Sequence, residues 1–179
     1  MVVRPRMFSP QRDRLKQFSH ASWNANGKPS VVGVGSLLRI KRWGRVLRVV
    51  REVRSLGYDC GLTKAGRGPE RAALEQQARE VGLGGVAEFI GATADGPDLL
   101  GQSRLLVHAS ETEECPNAVM GAMACGRAVV ATDVGDVPYL VEDGKTGLVV
   151  CCGDHEMLVK RLMELITDRD LCQSMGKAG

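Results

Sequence analysis

Strand-length apolar runs and amphipathic helical stretches alternate about six times along this chain, and that rhythm limits its possible folds more than any other feature. Ser30-Val31-Val32-Gly33-Val34 is a short β-branched run leading into glycine, the pattern of a buried parallel strand that feeds a turn. Val46, Leu47, Val49, Val50, Val53 and Leu56 then recur at helical spacing, with Arg45, Arg48, Arg51 and Arg54 on the other side and Gly57 closing the stretch. The same reading predicts strands over 60–65, 86–90, 105–108, 128–131 and 147–150. It predicts helices over 70–81, opened by Pro69, over 117–125, stopped by Gly126, and over a short stretch 137–141 closed by Asp143-Gly144. A last helix starts at Asp154, with Leu158, Val159, Leu162, Leu165 and Ile166 on one face. The expected fold class is therefore α/β: a Rossmann-like three-layer sandwich with a mostly parallel sheet of about six strands and helices on both faces. Such a sheet binds ligands beyond the carboxyl ends of its strands.

With 179 residues, 44% of them apolar, the chain can bury roughly 70% of its extended surface in one core without covalent staples. The expected organisation is one domain over 29–179, preceded by a basic lead-in over 1–28 that has no sustained apolar period. No apolar run approaches the roughly 20 residues of a membrane helix, and the start has no signal-peptide pattern, so the expected compartment is the cytoplasm. Cys60, Cys115, Cys125, Cys151, Cys152 and Cys172 lack CxxC spacing and read as reduced, mostly packing residues with no zinc site.

The net charge of +3 conceals an asymmetry. Residues 1–54 hold thirteen Lys and Arg against Asp13 and Glu52, a net +11, which leaves the remainder at −8. A basic half suits an anionic partner: a phosphate ligand, or an anionic membrane surface that would make the chain membrane-peripheral. Nucleic acid is disfavoured, because 4% aromatic content supplies too few rings for a base-stacking platform.

Three strand ends marked by glycine or proline are expected to converge on the crevice. In the first, Gly35 and Ser36 follow a strand and Lys41 is placed to reach back to a phosphate as a point charge; taken by itself, that segment reads more simply as a plain turn with an exposed lysine. The second, Gly66-Arg67-Gly68-Pro69, precedes a helix start and reads as an anion site or as a tight turn. The third is the most informative: Glu113 and Glu114 sit on a loop before Pro116, and the amides of Asn117, Ala118 and Val119 open a helix. Free amides there would cradle a phosphate, while a carboxylate such as Glu113 accepts strong hydrogen bonds from sugar hydroxyls. His108, ending an apolar strand, reads as a hydrogen-bonded packing residue rather than a catalytic base.

Ser110, Glu113 through Asn117, and the run Ala122-Met123-Ala124-Cys125-Gly126-Arg127 through Gly135 together resemble the C-terminal domain of the group 1 retaining glycosyltransferases of GT-B fold. Gly35 with Lys41, Gly66 through Arg71, and Asp143 through Val149 match that family's other segments in order, so the resemblance spans about 30–179 and Met1 to Pro10 is similar to its interdomain linker. The resemblance implies the donor-binding half of an enzyme that transfers a hexose from a nucleotide-sugar, incomplete without an acceptor-binding domain or second chain. It implies Lys41 and Glu113 as catalytic residues. Gly35, Ser36, Gly66, Ile90, Pro116, Asn117, Ala118, Val119 and Gly121 would line the donor site, with Ile90 meeting the base through its backbone. No cofactor or metal is implied, since amides and Lys41 compensate the diphosphate charge.

Three positions depart from the family pattern. Gly121 stands where a second glutamate would grip the ribose, Ser36 replaces an arginine that partners the lysine, and Tyr139 replaces an acid. These departures keep open an alternative, a degenerate Rossmann-like module used for interaction or regulation.

Overall fold

The computed structural model describes residues 30–179; the lead-in over 1–28 and Pro29 lie outside the described residues. Six strands form one sheet: β1 (Ser30–Val34), β2 (Gly61–Ala65), β3 (Ala87–Gly91), β4 (Leu105–His108), β5 (Ala128–Thr132) and β6 (Gly147–Val150). Their order is β3-β2-β1-β4-β5-β6 and every pairing between them is parallel, so the expectation of a mostly parallel sheet is exceeded. Parallel neighbours require crossovers, and the order reverses between β1 and β4, where the two connections leave in opposite directions.

The helices are α1 (Trp43–Ser55), α2 (Arg71–Glu80), α3 (Gly96–Gly101), α4 (Asn117–Ala124), α5 (Val137–Leu140), α6 (His155–Thr167) and α7 (Arg169–Ala178). Alternate strand residues point to opposite faces, which divides the core in two. Val31, Leu105, Val107, Val130 and Leu148 pack beneath α1, α2, α6 and α7. Val32, Leu106, Val129 and Ala131 pack beneath α3, α4 and α5 through Leu100, Val119, Ala122 and Val137. This is the expected three-layer sandwich.

The structure adds two helices to the sequence reading. The segment at 96–101 carries glycine at both ends and proline near its start, so its helical period is too short to register. At the C-terminus one expected helix is two, because Asp168 leaves helical geometry (φ −95°, ψ 99°) and its side chain caps α7 by accepting the Leu171 N–H. Asp154 caps α6 in the same way through Met157. Helix α7 docks where Gly176 meets the turn at Gly126; a Cβ on Gly176 would fall 2.3 Å from the Gly126 carbonyl oxygen.

The cysteine expectation holds for half the set. Cys60, Cys125 and Cys172 are buried, and burial raises their thiols above the ordinary range. Cys115, Cys151 and Cys152 are exposed, because they lie in loops at the carboxyl edge of the sheet rather than on its faces. No helix of the described residues is long and apolar enough to cross a membrane.

Candidate functional site

The β1, β2 and β3 ends are joined through backbone contacts. The Gly35 N–H donates to Ala65 O (3.0 Å) and the Gly66 N–H to Gly91 O (2.6 Å), while Leu37 exchanges bonds with Arg67 O and the Glu70 N–H. Glycine is obligatory at Gly66, whose φ is +140° and whose Cβ would lie 1.7 Å from Gly35 O. The register between β2 and β3 skips Ile90: Lys64 pairs with Phe89 and Ala65 with Gly91. That bulge leaves Ile90 out of the ladder at the edge of the crevice, with its side chain 46% exposed.

Across the switch point, the turn after β1 is tied to the loop after β4. The Glu111 N–H donates to Ile40 O (2.9 Å), Arg42 pairs with Glu111 at 2.6 Å, and the Lys41 ammonium pairs with Glu113. Arg42 is the sole described non-glycine residue at positive φ (51°), at the point where a 3-10 turn over Arg39–Lys41 hands over to α1. That reversal sends α1 away while Lys41 stays facing β4. Ser110 is fully buried beneath the loop, and its carbonyl accepts from Thr132 Oγ1 on β5 at 2.6 Å.

Lys41 and Glu113, named as catalytic from the sequence, thus face each other at the crevice with side chains 17% and 12% exposed. Glu113 also touches His108, whose Nε2 lies 3.2 Å from Oε1 without hydrogen-bond geometry. Burial lowers the His108 pKa below the ordinary imidazole value, more than Glu113 raises it, and Lys41 lowers it further. The ring is therefore neutral at pH 7 and packs against the carboxylate. Glu113 is also fixed from behind, since Gly135 (φ +54°) approaches so closely that a Cβ there would fall 1.6 Å from the Glu113 carbonyl oxygen.

The expected cradle of three free amides is corrected. The Asn117 N–H donates to Cys115 O (2.8 Å) and the Val119 N–H to Pro116 O (2.8 Å), so within that trio Ala118 alone has an N–H without an acceptor among the described residues. Pro116 is the N-cap and offers no side-chain acceptor, so the first turn tightens and the amides turn to nearby carbonyls. Gly121, expected in place of a ribose-gripping glutamate, is buried on α4. Tyr139 is 89% exposed on α5.

Two further residues at the site escaped the sequence reading. Trp43, at the start of α1, donates from Nε1 to Ser36 O at 2.8 Å. Lys64, on β2, donates from Nζ to Gly35 O at 2.8 Å and to Ala65 O at 2.5 Å. The signal for Lys64 was there: a lysine one residue before the end of a buried parallel strand is an anomaly in itself. Among the described residues, no group of three or more His, Cys, Asp or Glu side chains could hold a metal ion. The α1 arginines are only partly neutralised. Arg54 is held by Asp59 and Cys60 O, whereas Arg45 and Arg48, with Arg39 and the Glu111-paired Arg42 from the turn before α1, border a cleft of about 220 Å³ against Glu70 and Gln77 of the neighbouring connection.

A parallel sheet in the order 3-2-1-4-5-6, with a lysine and a glutamate meeting across its switch point, places the molecule among Rossmann-like domains with a crevice at the carboxyl edge. Within that class, the chain belongs to the glycosyl transferases group 1 family, whose model matches residues 16–179. It is 30% identical over 181 residues to D-inositol 3-phosphate glycosyltransferase of Corynebacterium jeikeium, covering 95% of this chain and 43% of that protein. It is 28% identical to N-acetyl-alpha-D-glucosaminyl L-malate synthase of Bacillus anthracis, covering 79% of this chain and 38% of that one. The chain therefore spans about two-fifths of the length of these relatives. The C-terminal domain of a glycosyl transferase group 1 family protein from Francisella tularensis superposes with a TM-score of 0.78 at 22% identity, over 99% of this chain and 94% of that one. An Anabaena protein, HepE, solved with UDP and glucose, gives a TM-score of 0.80 at 21% identity, over 97% of this chain and 48% of that one. The fold is that of the C-terminal half of a GT-B glycosyltransferase.

Proposed function

We propose that this chain is the donor-binding half of a retaining glycosyltransferase that transfers a hexose from a nucleoside-diphosphate sugar, working with an acceptor-binding domain. The observation that carries the reading is the meeting of Lys41 and Glu113 across the switch point. One ammonium is poised for a diphosphate and one carboxylate for sugar hydroxyls, on adjoining strand ends. In the free domain each neutralises the other, and the donor takes over both partners when it binds. The Ala118 N–H adds one amide, the Gly35 and Gly66 turns let the diphosphate approach the backbone, and the bulged Ile90 offers peptide groups to the base. Related proteins are named for transfer from sugar donors, one of them GDP-mannose-dependent, and the HepE structure holds UDP. Charge compensation by Lys41 and amides makes a metal unnecessary, and the exposed α1 arginines would meet an anionic membrane surface in a cytoplasmic, membrane-peripheral enzyme.

Isothermal titration of the purified chain with UDP, GDP and ADP, and with their glucose or mannose conjugates, tests this reading. Saturable heat with at least one series supports it. A folded chain that gives no heat with any of them refutes it and favours the degenerate interaction module, for which the buried Gly121 in place of a ribose-gripping carboxylate is the specific argument.

A further inference from the structure

Lys64 is among the largest fully buried side chains, 1% exposed, and among the described residues no carboxylate pairs with it. Its Nζ lies 4.0 Å from the centroid of the Trp43 ring and donates to Gly35 O and Ala65 O. The residues around it are uncharged: Gly33 and Gly35 at the end of β1, Trp43 on α1, Ala65 and Gly66 on its own strand end, and Phe89 by register on β3. Among the described residues, the one ionisable group that acts on it is Lys41, a like charge. A fold that needed only a packing residue here would gain by an apolar side chain, since a buried ammonium is costly to desolvate.

We propose that Lys64 is a positioning residue for the donor diphosphate, a buried cation that braces the Gly35–Ser36 turn from beneath and supplies the positive charge that Ser36 does not carry. This inference rests on the donor-binding reading above. Two observations about the turn support it. Its two carbonyls are both held by side chains, Gly35 O by Lys64 and Ser36 O by Trp43. Because C=O and N–H point oppositely across a trans peptide, drawing the Gly35 carbonyl to Lys64 turns the Ser36 N–H away from it. No hydrogen bond within the described residues uses that N–H. The second observation is electrostatic. Burial, with a smaller contribution from Lys41, lowers the Lys64 pKa from 10.5 to about 7, so in the free domain near neutral pH the amine is only partly charged. A diphosphate arriving beside Lys41 opposes both effects and draws a proton onto Lys64. Each unit by which the donor raises that pKa makes the protonated form bind tenfold more tightly than the neutral one.

The test titrates the chain with UDP-glucose, GDP-mannose and ADP-glucose from pH 6 to 8.5, where their diphosphate diesters do not change charge. For a rise of one unit, wild type should lose affinity close to tenfold between pH 6 and 8.5, and binding at pH 7.5 should take up about half a proton, read from the dependence of the heat on the buffer's ionisation enthalpy. Lys64→Met should bind with the weaker, high-pH affinity throughout and take up no proton. A merely structural Lys64 would leave the proton uptake in place. Absence of binding by wild type to all three ligands overturns the donor-binding reading, and this inference with it. Binding whose pH profile and proton uptake are the same in folded Lys64→Met overturns the role of Lys64 alone. Should Lys64→Met not fold, the Lys64 Cε resonance of wild type labelled with carbon-13 lysine decides. An apparent pKa raised by about one unit with nucleotide-sugar bound supports the proposal, and an unchanged one overturns it.

Discussion

Replacing Lys64 by methionine should stabilise the domain at neutral pH and remove a pH dependence that wild type shows. The folded amine has a pKa of about 7, against 10.5 for ordinary lysine. Between those values the unfolded chain holds a proton that the folded chain has lost, so wild-type stability rises with pH across the window, by about 1.4 kcal/mol per unit. The penalty is fully present below pH 7, where it reaches about 5 kcal/mol, and is relieved as pH approaches 10.5. Methionine matches the lysine stem in length and can occupy the same space against Trp43. What it forfeits is modest. Ala65 O keeps the Gly35 N–H as a donor, whereas Gly35 O loses its donor, at a cost of about 1 to 3 kcal/mol. The expected net gain at pH 7 is therefore about 1 to 3 kcal/mol, shrinking by about 2 kcal/mol between pH 7.5 and 9. Urea denaturation of both proteins, followed by circular dichroism at four pH values, measures this. The buried thiols of Cys60, Cys125 and Cys172 titrate in both proteins and cancel in the difference. Parallel stability profiles for the two from pH 7 to 9 would refute the argument that a buried, partly charged amine underlies the turn.

Two further substitutions probe the crevice. Glu113→Gln removes the charge that pairs with the Lys41 ammonium and replaces a charged acceptor for sugar hydroxyls by a weaker amide oxygen, so affinity for a nucleotide-sugar should fall about tenfold while that for the free nucleotide diphosphate holds or improves. Equal weakening of both ligands in calorimetry would mean that Glu113 acts only by orienting Lys41. Gly135→Ala places a Cβ 1.6 Å from the Glu113 carbonyl at a φ of +54°. It should cost about 2 to 6 kcal/mol from strain and overpacking together, lowering Tm by about 2 to 4 °C for each kcal/mol in differential scanning fluorimetry; a change under 2 °C would mean that the loop after β5 does not support Glu113.

The alternation of apolar runs and helical faces made the layers of this fold legible, because β-branched strands buried on both faces, such as Val129-Val130, leave few other readings. Strand order was not legible in the same way, since no residue pattern states which strand β4 will join. The crevice was half legible. Lys41 and Glu113 could be named because the segments that carry them resemble the family's, whereas the residue types alone allow a plain turn with an exposed lysine. Their mutual contact could not, because it depends on the reversal at Arg42. The amide cradle was over-read: a helix start promises unpaired N–H groups in general, but Pro116 with Cys115 before it lets the first turn satisfy two of them internally. Lys64 is easily passed over in a strand pattern, because the lysine stem fits an apolar position until its ammonium has to be accounted for.

If the proposed donor reading holds, the two lysines also give a reason why the Ser36 departure would not by itself remove a diphosphate site. An arginine at position 36 would present its charge from the crevice side, on a side chain that must be ordered when the donor binds. Lys64 presents its charge from the protein side, on an amine already held by two carbonyls and an aromatic face, so the ordering is complete before binding. What the domain gives up is stability at neutral pH, and what it keeps is a fixed, partly charged amine within electrostatic reach of Lys41. Gly121 has no such counterpart. Helix α4 lies against β4 and β5 and buries that position, and glycine has no side chain with which to accept a hydrogen bond there. The physical asymmetry is that charge on the diphosphate can be supplied through a turn from beneath, because Coulomb forces act over several ångströms. A ribose hydroxyl needs an acceptor within about 3 Å. A domain altered in this way should therefore keep its grip on the diphosphate while losing discrimination at the ribose, so UDP and its 2′-deoxy analogue should bind with affinities within about threefold of one another. A tenfold or greater preference for the ribonucleotide in competition calorimetry would show that another group holds the ribose.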